Sequence, residues 1–249
     1  MSMNILDWLV FPVPADEARG VPIYGRGGLF FRAEESGDLA TDMFSPKRLR
    51  DLMRWYGGHQ FDIALLSAGG NDFVGTFLKT TFADRRSMTP GQAYDCVVNT
   101  GRYEEVYRAY ERVLLRMVAL HPKTPIFAHS YCHPMKMGVG ADLTVANLGV
   151  AALMKKNVGP WIRPYVHKTL PDVDNQRLFA RMLIDGFVDR VLAPLAADIR
   201  FRRNFRYLDL RDEAQFEQDW FDEMHPTGAT FHRLSRYFAR EIDGLFTLG

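Results

Sequence analysis

The sequence has 249 residues, which is long enough for one large α/β domain, and its apolar residues (47%) are spread along the whole chain. We therefore expect a single domain over residues 1–249. Lys and Arg (31 residues) balance Asp and Glu (30 residues) for a formal charge of +1, and this balance argues against a nucleic-acid partner or an anionic membrane surface.

Short apolar runs mark the predicted strands. Residues 61–67 form a run that two glycines close, as expected for a strand buried on both faces of a parallel sheet. Residues 124–130 and 205–210 have the same character, and residues 29–33 are a fourth, weaker candidate.

Helical patterns lie between these runs. Residues 46–55 predict one helix, and residues 104–120 predict a second with its apolar side chains on one face. A third helix is expected over about 175–199. Pro226, a residue suited to a first helical turn, is expected to open the last helix, which runs to about residue 242.

The alternation of strands and helices predicts a parallel sheet between helix layers, with ligands bound at the carboxyl ends of the strands. Asn71 follows the 61–67 run and His225 follows the last predicted strand, so both are expected at that edge. The connections 73–102 and 132–175 are long for a compact domain. We expect them to be lids or to contain short helices of their own.

Asp222 and His225 are one candidate for chemistry. Hydrolysis of an ester requires a nucleophile, a base that takes its proton and a group that orients the base. A carboxylate three residues before a histidine can orient the imidazole and stabilise its positive charge. The same spacing is typical of polar residues that cap a helix, so it is informative only together with a second motif.

That second motif is Gly69-Gly70-Asn71-Asp72, just after a predicted strand. Two glycines let the backbone turn sharply at the strand end, and an Asn amide held there can donate a hydrogen bond to a developing oxyanion. A simple Gly-Asn turn is the alternative. The occurrence of this motif together with an Asp-x-x-His-Pro motif near the end of the chain favours the catalytic interpretation.

The two motifs resemble the Gly-x-Asn-Asp and Asp-x-x-His blocks of the SGNH (GDSL-type) hydrolases, and the resemblance covers about residues 4–242. It implies a three-layer α/β/α fold with a flavodoxin-like parallel sheet of order 2-1-3-4-5. It also implies a serine esterase that forms an acyl-enzyme, with His225 as the base and Asp222 as the group that orients it. Asn71 and Gly37, which lies in the segment most similar to the family's glycine block, would form the oxyanion hole.

The family's nucleophile block, Gly-Asp-Ser at the end of the first strand, has no counterpart in this sequence. Counting back from Gly37 places it at or before Met1, and Ser2 and Ser36 lack the surroundings of that block. The resemblance therefore predicts a serine upstream of Met1. The first strand is then missing or replaced by residues 8–13, whose nearby prolines do not suit a central strand. The alternative is a catalytically inactive binding protein that kept the cleft and lost the nucleophile.

Further residues are candidates for contact with the substrate, which we expect to be a small acyl ester. His129 ends a predicted strand and Trp161 lies in a long connection, so both are expected to line the site. His129, Cys132 and His133 lack the paired spacing of a zinc site, so no metal is expected. The implied reaction uses no cofactor.

The sequence also argues against a membrane span. No stretch approaches the roughly 18 consecutive apolar residues that a span needs, and the first residues lack a basic segment followed by an apolar run. As written, the sequence predicts a cytoplasmic protein. The two cysteines, Cys96 and Cys132, show no disulfide or metal-site spacing.

Overall fold

The computed structural model describes residues 33, 37–141 and 159–246. Within these residues three short strands alternate with helices, and none of the helices is both long and apolar enough to cross a membrane. In chain order the elements are α1 (Ala40–Met43), α2 (Pro46–Gly58), β1 (Ala64–Leu66), a 3₁₀ turn (Gly70–Phe73), α3 (Thr76–Phe82), α4 (Pro90–Asn99), α5 (Arg102–Leu120), β2 (Ile126–His129), α6 (Arg163–Val166), α7 (Val173–Phe187), a π-helical turn (Val188–Leu192), α8 (Ala193–Ala197), β3 (Phe205–Leu208), a 3₁₀ turn (Glu217–Asp219) and α9 (Gly228–Phe246).

The three strands form one parallel sheet in the order β1-β2-β3. Ala64 pairs with Ile126, which pairs in turn with Phe205. The predicted α/β class with a parallel sheet flanked by helices is confirmed, although each strand is shorter than the apolar run that predicted it. The possible first strand at 8–13 and the weak candidate at 29–33 lie outside the described residues, apart from the last residue of the second.

The two faces of the sheet pack against different helices. Successive side chains of a strand point to opposite faces. Ile126 and Ala128 of β2 belong to the large core cluster, to which α5, α7 and α8 also contribute. Phe127, between them, packs on the other side with Leu234 and Phe238 of α9. The sheet therefore lies between two helical layers.

Most of the predicted helices are present. The pattern at 175–199 corresponds to α7, the π-helical turn and α8 in succession, and the connection 73–102 contains α3 and α4, as expected. The prediction for Pro226 is wrong, because Pro226 pairs with Trp220 in an isolated antiparallel bridge and α9 begins two residues later. The hydroxyl of Thr227 instead accepts a hydrogen bond from the amide of Thr230, at 3.3 Å, in the first turn.

Gly69 and Gly70 form the turn that carries the chain away from β1. Gly69 has φ of +105°, a conformation that side chains disfavour, and a Cβ at this position would lie 2.6 Å from the ring of Phe187. A Cβ on Gly70 would lie 2.8 Å from the ring of Tyr131. The close approach of two aromatic rings therefore requires both glycines.

We expect Gly69→Ala to destabilise the fold by about 2–4 kcal/mol, because it combines a strained backbone with overpacking against Phe187. Gly91→Ala is the matched control, since Gly91 lies in α4 with open space around its Cα; it should leave stability unchanged or raise it by up to about 1 kcal/mol. Urea unfolding followed by circular dichroism measures both. Equal midpoints for the two variants would contradict this account of the turn.

Candidate active site

The loop between β3 and α9 holds Asp222 and His225 together. Asp222 is fully buried, and its carboxylate lies 2.9 Å from Nδ1 of His225. The same carboxylate accepts hydrogen bonds from the backbone amides of Met224 and His225, at 2.7 and 2.8 Å. An ionised carboxylate only accepts hydrogen bonds, so Nδ1 carries the proton and Nε2 is the basic nitrogen. The His225 side chain is 39% exposed, which leaves the imidazole accessible to a small molecule.

Glu223, the residue after Asp222, fixes this loop to a distant segment. Its carboxylate is fully buried and accepts a hydrogen bond from the amide of Gly138 at 2.9 Å. It also accepts three from consecutive amides in residues 161–163, at 2.6, 2.6 and 3.1 Å. Backbone amides removed from water need acceptors, and one carboxylate satisfies all four here. Segment 161–163 is thereby held against the loop of Asp222.

This attachment brings Trp161 next to His225. The two rings meet edge to face, with centroids 5.2 Å apart and planes at 78°. The carbonyl of Trp161 accepts a hydrogen bond from the amide of Gly75 at 2.9 Å, which connects it to the segment after Asn71. Trp161, predicted to contact substrate, therefore forms part of the wall beside His225.

Asn71 contacts the segment that contains Gly37. Asn71 is exposed, and its Nδ2 donates to the carbonyl of Asp38 at 3.0 Å. Gly37, the preceding residue, has φ of +84°. An amide nitrogen has two hydrogens. The contact with Asp38 uses one of them and fixes the side chain, while the second can serve a ligand.

Asp72, the last residue of the Gly-Gly-Asn-Asp motif, has a structural role. It is buried and accepts hydrogen bonds from the amide of Ala40 at 2.7 Å and from the hydroxyl of Thr41 at 2.9 Å. Burial raises the pKa of its carboxyl above the usual range, although these hydrogen bonds oppose the change. Asp72 therefore attaches the start of α1, which follows Gly37, to the turn that carries Asn71.

His129, the other predicted substrate contact, binds a serine. Its Nε2 lies 2.9 Å from Oγ of Ser67, an exposed residue directly after β1. Its Nδ1 lies 2.8 Å from the carbonyl of Ser130. The two residues lie at the carboxyl ends of neighbouring strands, where the fold predicts ligands to bind.

The other two residues of the predicted His129, Cys132 and His133 group have different surroundings. Nε2 of His133 lies 3.0 Å from Asp185 on α7. Cys132 is buried, and burial raises the pKa of its thiol to about 12. Among the residues that the structure describes, no group of three or more His, Cys, Asp and Glu side chains is placed to hold a metal ion.

Sequence reasoning predicted the pair Asp222 and His225 and the residues Asn71, Gly37, His129 and Trp161 as site residues, and it did not predict two further features of the structure. The role of Glu223 has no signal in the sequence, because its partners are backbone amides of distant segments. Ser67 stood at the end of a predicted strand, and the parallel pairing of that strand with the next one could have suggested a contact with His129.

Comparison with known proteins gives little further information. No protein-family model matches the chain, and no curated protein does. Among solved structures, the chain is similar to one described as a carbohydrate esterase family 3 from Talaromyces cellulolyticus. The TM-score is 0.42 at 14% identity, over 86% of this chain and 71% of that chain. A likeness of this strength assigns neither a fold nor an activity.

Replacement of Glu223 by Gln is expected to destabilise the protein by about 3 kcal/mol or more, because the new NH₂ group faces backbone donors in a buried position. The control is Glu104→Gln, which removes an exposed carboxylate from a surface pair on α5 and should cost no more than about 0.5 kcal/mol. Urea unfolding measures both. Equal losses of stability would show that the buried hydrogen bonds of Glu223 contribute little.

Proposed function

We propose that this protein is a member of the SGNH (GDSL-type) hydrolases that cleaves carboxylic or acetyl esters of small molecules through an acyl-serine intermediate. The observation that carries the proposal is the geometry of Asp222 and His225. A fully buried carboxylate holds Nδ1 of an accessible imidazole, which leaves Nε2 to take a proton from a nucleophile. A pair that only capped α9 would have no need of an accessible basic nitrogen.

In this mechanism His225 takes the proton of the attacking serine and then gives it to the leaving alkoxide. Asp222 keeps the ring in one tautomer and stabilises the imidazolium that forms. In a second half-reaction the same base activates a water molecule, which releases the acid and restores the serine. In the family that the chain resembles, this serine belongs to a Gly-Asp-Ser block.

Asn71 and Gly37 form the proposed oxyanion hole. The contact of Asn71 with Asp38 fixes its amide before substrate arrives, so little rearrangement is needed as the negative charge develops. Trp161 provides an apolar wall beside His225, suited to the acyl or alcohol part of the substrate.

Substitutions of the pair test this proposal by the hydrolysis of p-nitrophenyl acetate. In the active protein, His225→Gln should lower kcat by about 10⁶-fold and Asp222→Asn by about 10⁴-fold. His59→Gln, which changes an exposed histidine after α2, is the control and should retain full turnover. Turnover that is undiminished in His225→Gln would contradict the proposal. Ester binding without any turnover would favour the inactive binding protein.

We expect Asn71→Ala to lower kcat by about 10²–10³-fold with a smaller change in KM, because an oxyanion donor acts mainly in the transition state. Asn99→Ala at the exposed end of α4 is the control for loss of an Asn amide. Steady-state kinetics with p-nitrophenyl acetate measures both. A change in KM alone would assign Asn71 to ground-state binding instead.

A further inference from the structure

Ser67 and His129 form a second pair of nucleophile and base type, separate from the Asp222 and His225 pair. They lie on neighbouring parallel strands, and the register that pairs Leu66 with Ala128 places the next two residues, Ser67 and His129, opposite each other. Oγ and Nε2 are 2.9 Å apart. This distance is within the reach of a direct proton transfer.

The hydrogen bonds of His129 fix its tautomer. A backbone carbonyl only accepts, so the contact with the carbonyl of Ser130 places the proton on Nδ1. Nε2 is then an acceptor, and the hydroxyl of Ser67 donates to it. This is the arrangement in which a histidine can remove the proton of a serine.

The surroundings of His129 hold the ring in place and keep it neutral. Its ring meets Tyr131 and Phe238 edge to face, with centroids 5.3 and 5.6 Å away. Tyr131 in turn accepts a hydrogen bond from the amide of Gly70. Desolvation of the imidazole lowers the pKa of His129 below its usual value, so the ring is unprotonated near pH 7.

The exposure of Ser67 distinguishes this pair from a purely structural contact. His121, by comparison, is buried, and its Nε2 lies 2.8 Å from the carbonyl of Tyr56, where both groups only stabilise the fold. Ser67 is exposed at the carboxyl end of β1, four residues before Asn71. A hydrogen bond between an exposed hydroxyl and a histidine adds little to the stability of the fold. An accessible hydroxyl that donates to a basic nitrogen can, however, react.

We propose that Ser67 is itself a nucleophile toward acyl esters, with His129 as its general base. This inference rests on the proposed ester hydrolysis, and it supplies an attacking serine from within residues 1–249. Oγ forms a bond to the ester carbonyl carbon while its proton passes to Nε2 of His129. The bond from that carbon to the alcohol oxygen then breaks, and the alkoxide leaves with the proton. Water then attacks the acyl carbon as it loses a proton to the same nitrogen. The bond from that carbon to Oγ breaks, the acid leaves, and Oγ takes the proton back from His129.

The test is phosphonylation of the 249-residue protein by a fluorophosphonate, with the modified peptide located by mass spectrometry. In this reaction Oγ forms a bond to phosphorus and fluoride leaves. We expect label on Ser67 and none on Ser67→Ala. His129→Asn keeps a donor near the position of Nδ1 but removes the base, and it should slow labelling by about 100-fold or more.

Two controls separate this inference from the proposed function. His225→Gln should leave labelling of Ser67 unchanged, whereas it should lower the p-nitrophenyl acetate turnover assigned to His225. Ser87→Ala changes an exposed serine between α3 and α4, and it should change neither the labelling of Ser67 nor the ester turnover. Thermal unfolding of each variant shows whether the fold is retained. If His129→Asn unfolds, Ser67→Ala, at an exposed position, still tests whether the label is on Ser67.

Absence of label on Ser67, or labelling that does not depend on His129, would overturn the inference and leave the role of His225 untouched. Labelling of Ser67 that is lost in His225→Gln but kept in His129→Asn would show that the wrong histidine had been assigned. Conversely, turnover that does not need His225, together with His129-dependent labelling of Ser67, would reject the proposed mechanism and support Ser67 as the nucleophile.

Discussion

Two adjacent buried carboxylates, Asp222 and Glu223, control the geometry of the candidate site. Asp222 accepts from the backbone of its own loop and from the ring of His225, while Glu223 accepts from Gly138 and from segment 161–163. A buried carboxylate is stable only when donors surround it. The donors that these two carboxylates need therefore place Trp161 beside His225, so the position of His225 and the shape of its surroundings have a common cause.

A second set of contacts builds the other side of the site from the turn after β1. Gly69 and Gly70 allow close packing with Phe187 and Tyr131, Asp72 attaches α1, and Asn71 binds the carbonyl of Asp38. These contacts join the turn to three parts of the chain, namely Phe187, Tyr131 and residues 38–41. The amide of Asn71 is consequently held by several elements rather than by its own loop alone, which is the condition for a preorganised donor.

The local parts of this structure could be predicted from the sequence. The apolar runs gave the three strands, and the Asp-x-x-His spacing is short enough that one loop brings both side chains together. The prediction for Pro226 failed because its fixed φ suits a bridge residue as well as a first helical turn. Glu223 could not be predicted, since its partners are main-chain amides 60 or more residues away, and no residue type marks such a donor. The contact of Ser67 with His129 depends on the register of β1 and β2, which tertiary packing determines.

The two histidines at the carboxyl edge of the sheet differ in what holds Nδ1, and this difference sets their chemistry. His225 binds a buried carboxylate, whose negative charge stabilises the imidazolium formed when the ring takes a proton. His129 binds a neutral carbonyl in apolar surroundings, which fixes the same tautomer but stabilises the positive charge much less. Proton transfer to His129 is therefore the less favourable of the two, and acylation at Ser67 should be slower than acylation of a serine that faces His225. A site with both pairs would carry out its main turnover through His225, while Ser67, with His129 as its base, would be acylated more slowly.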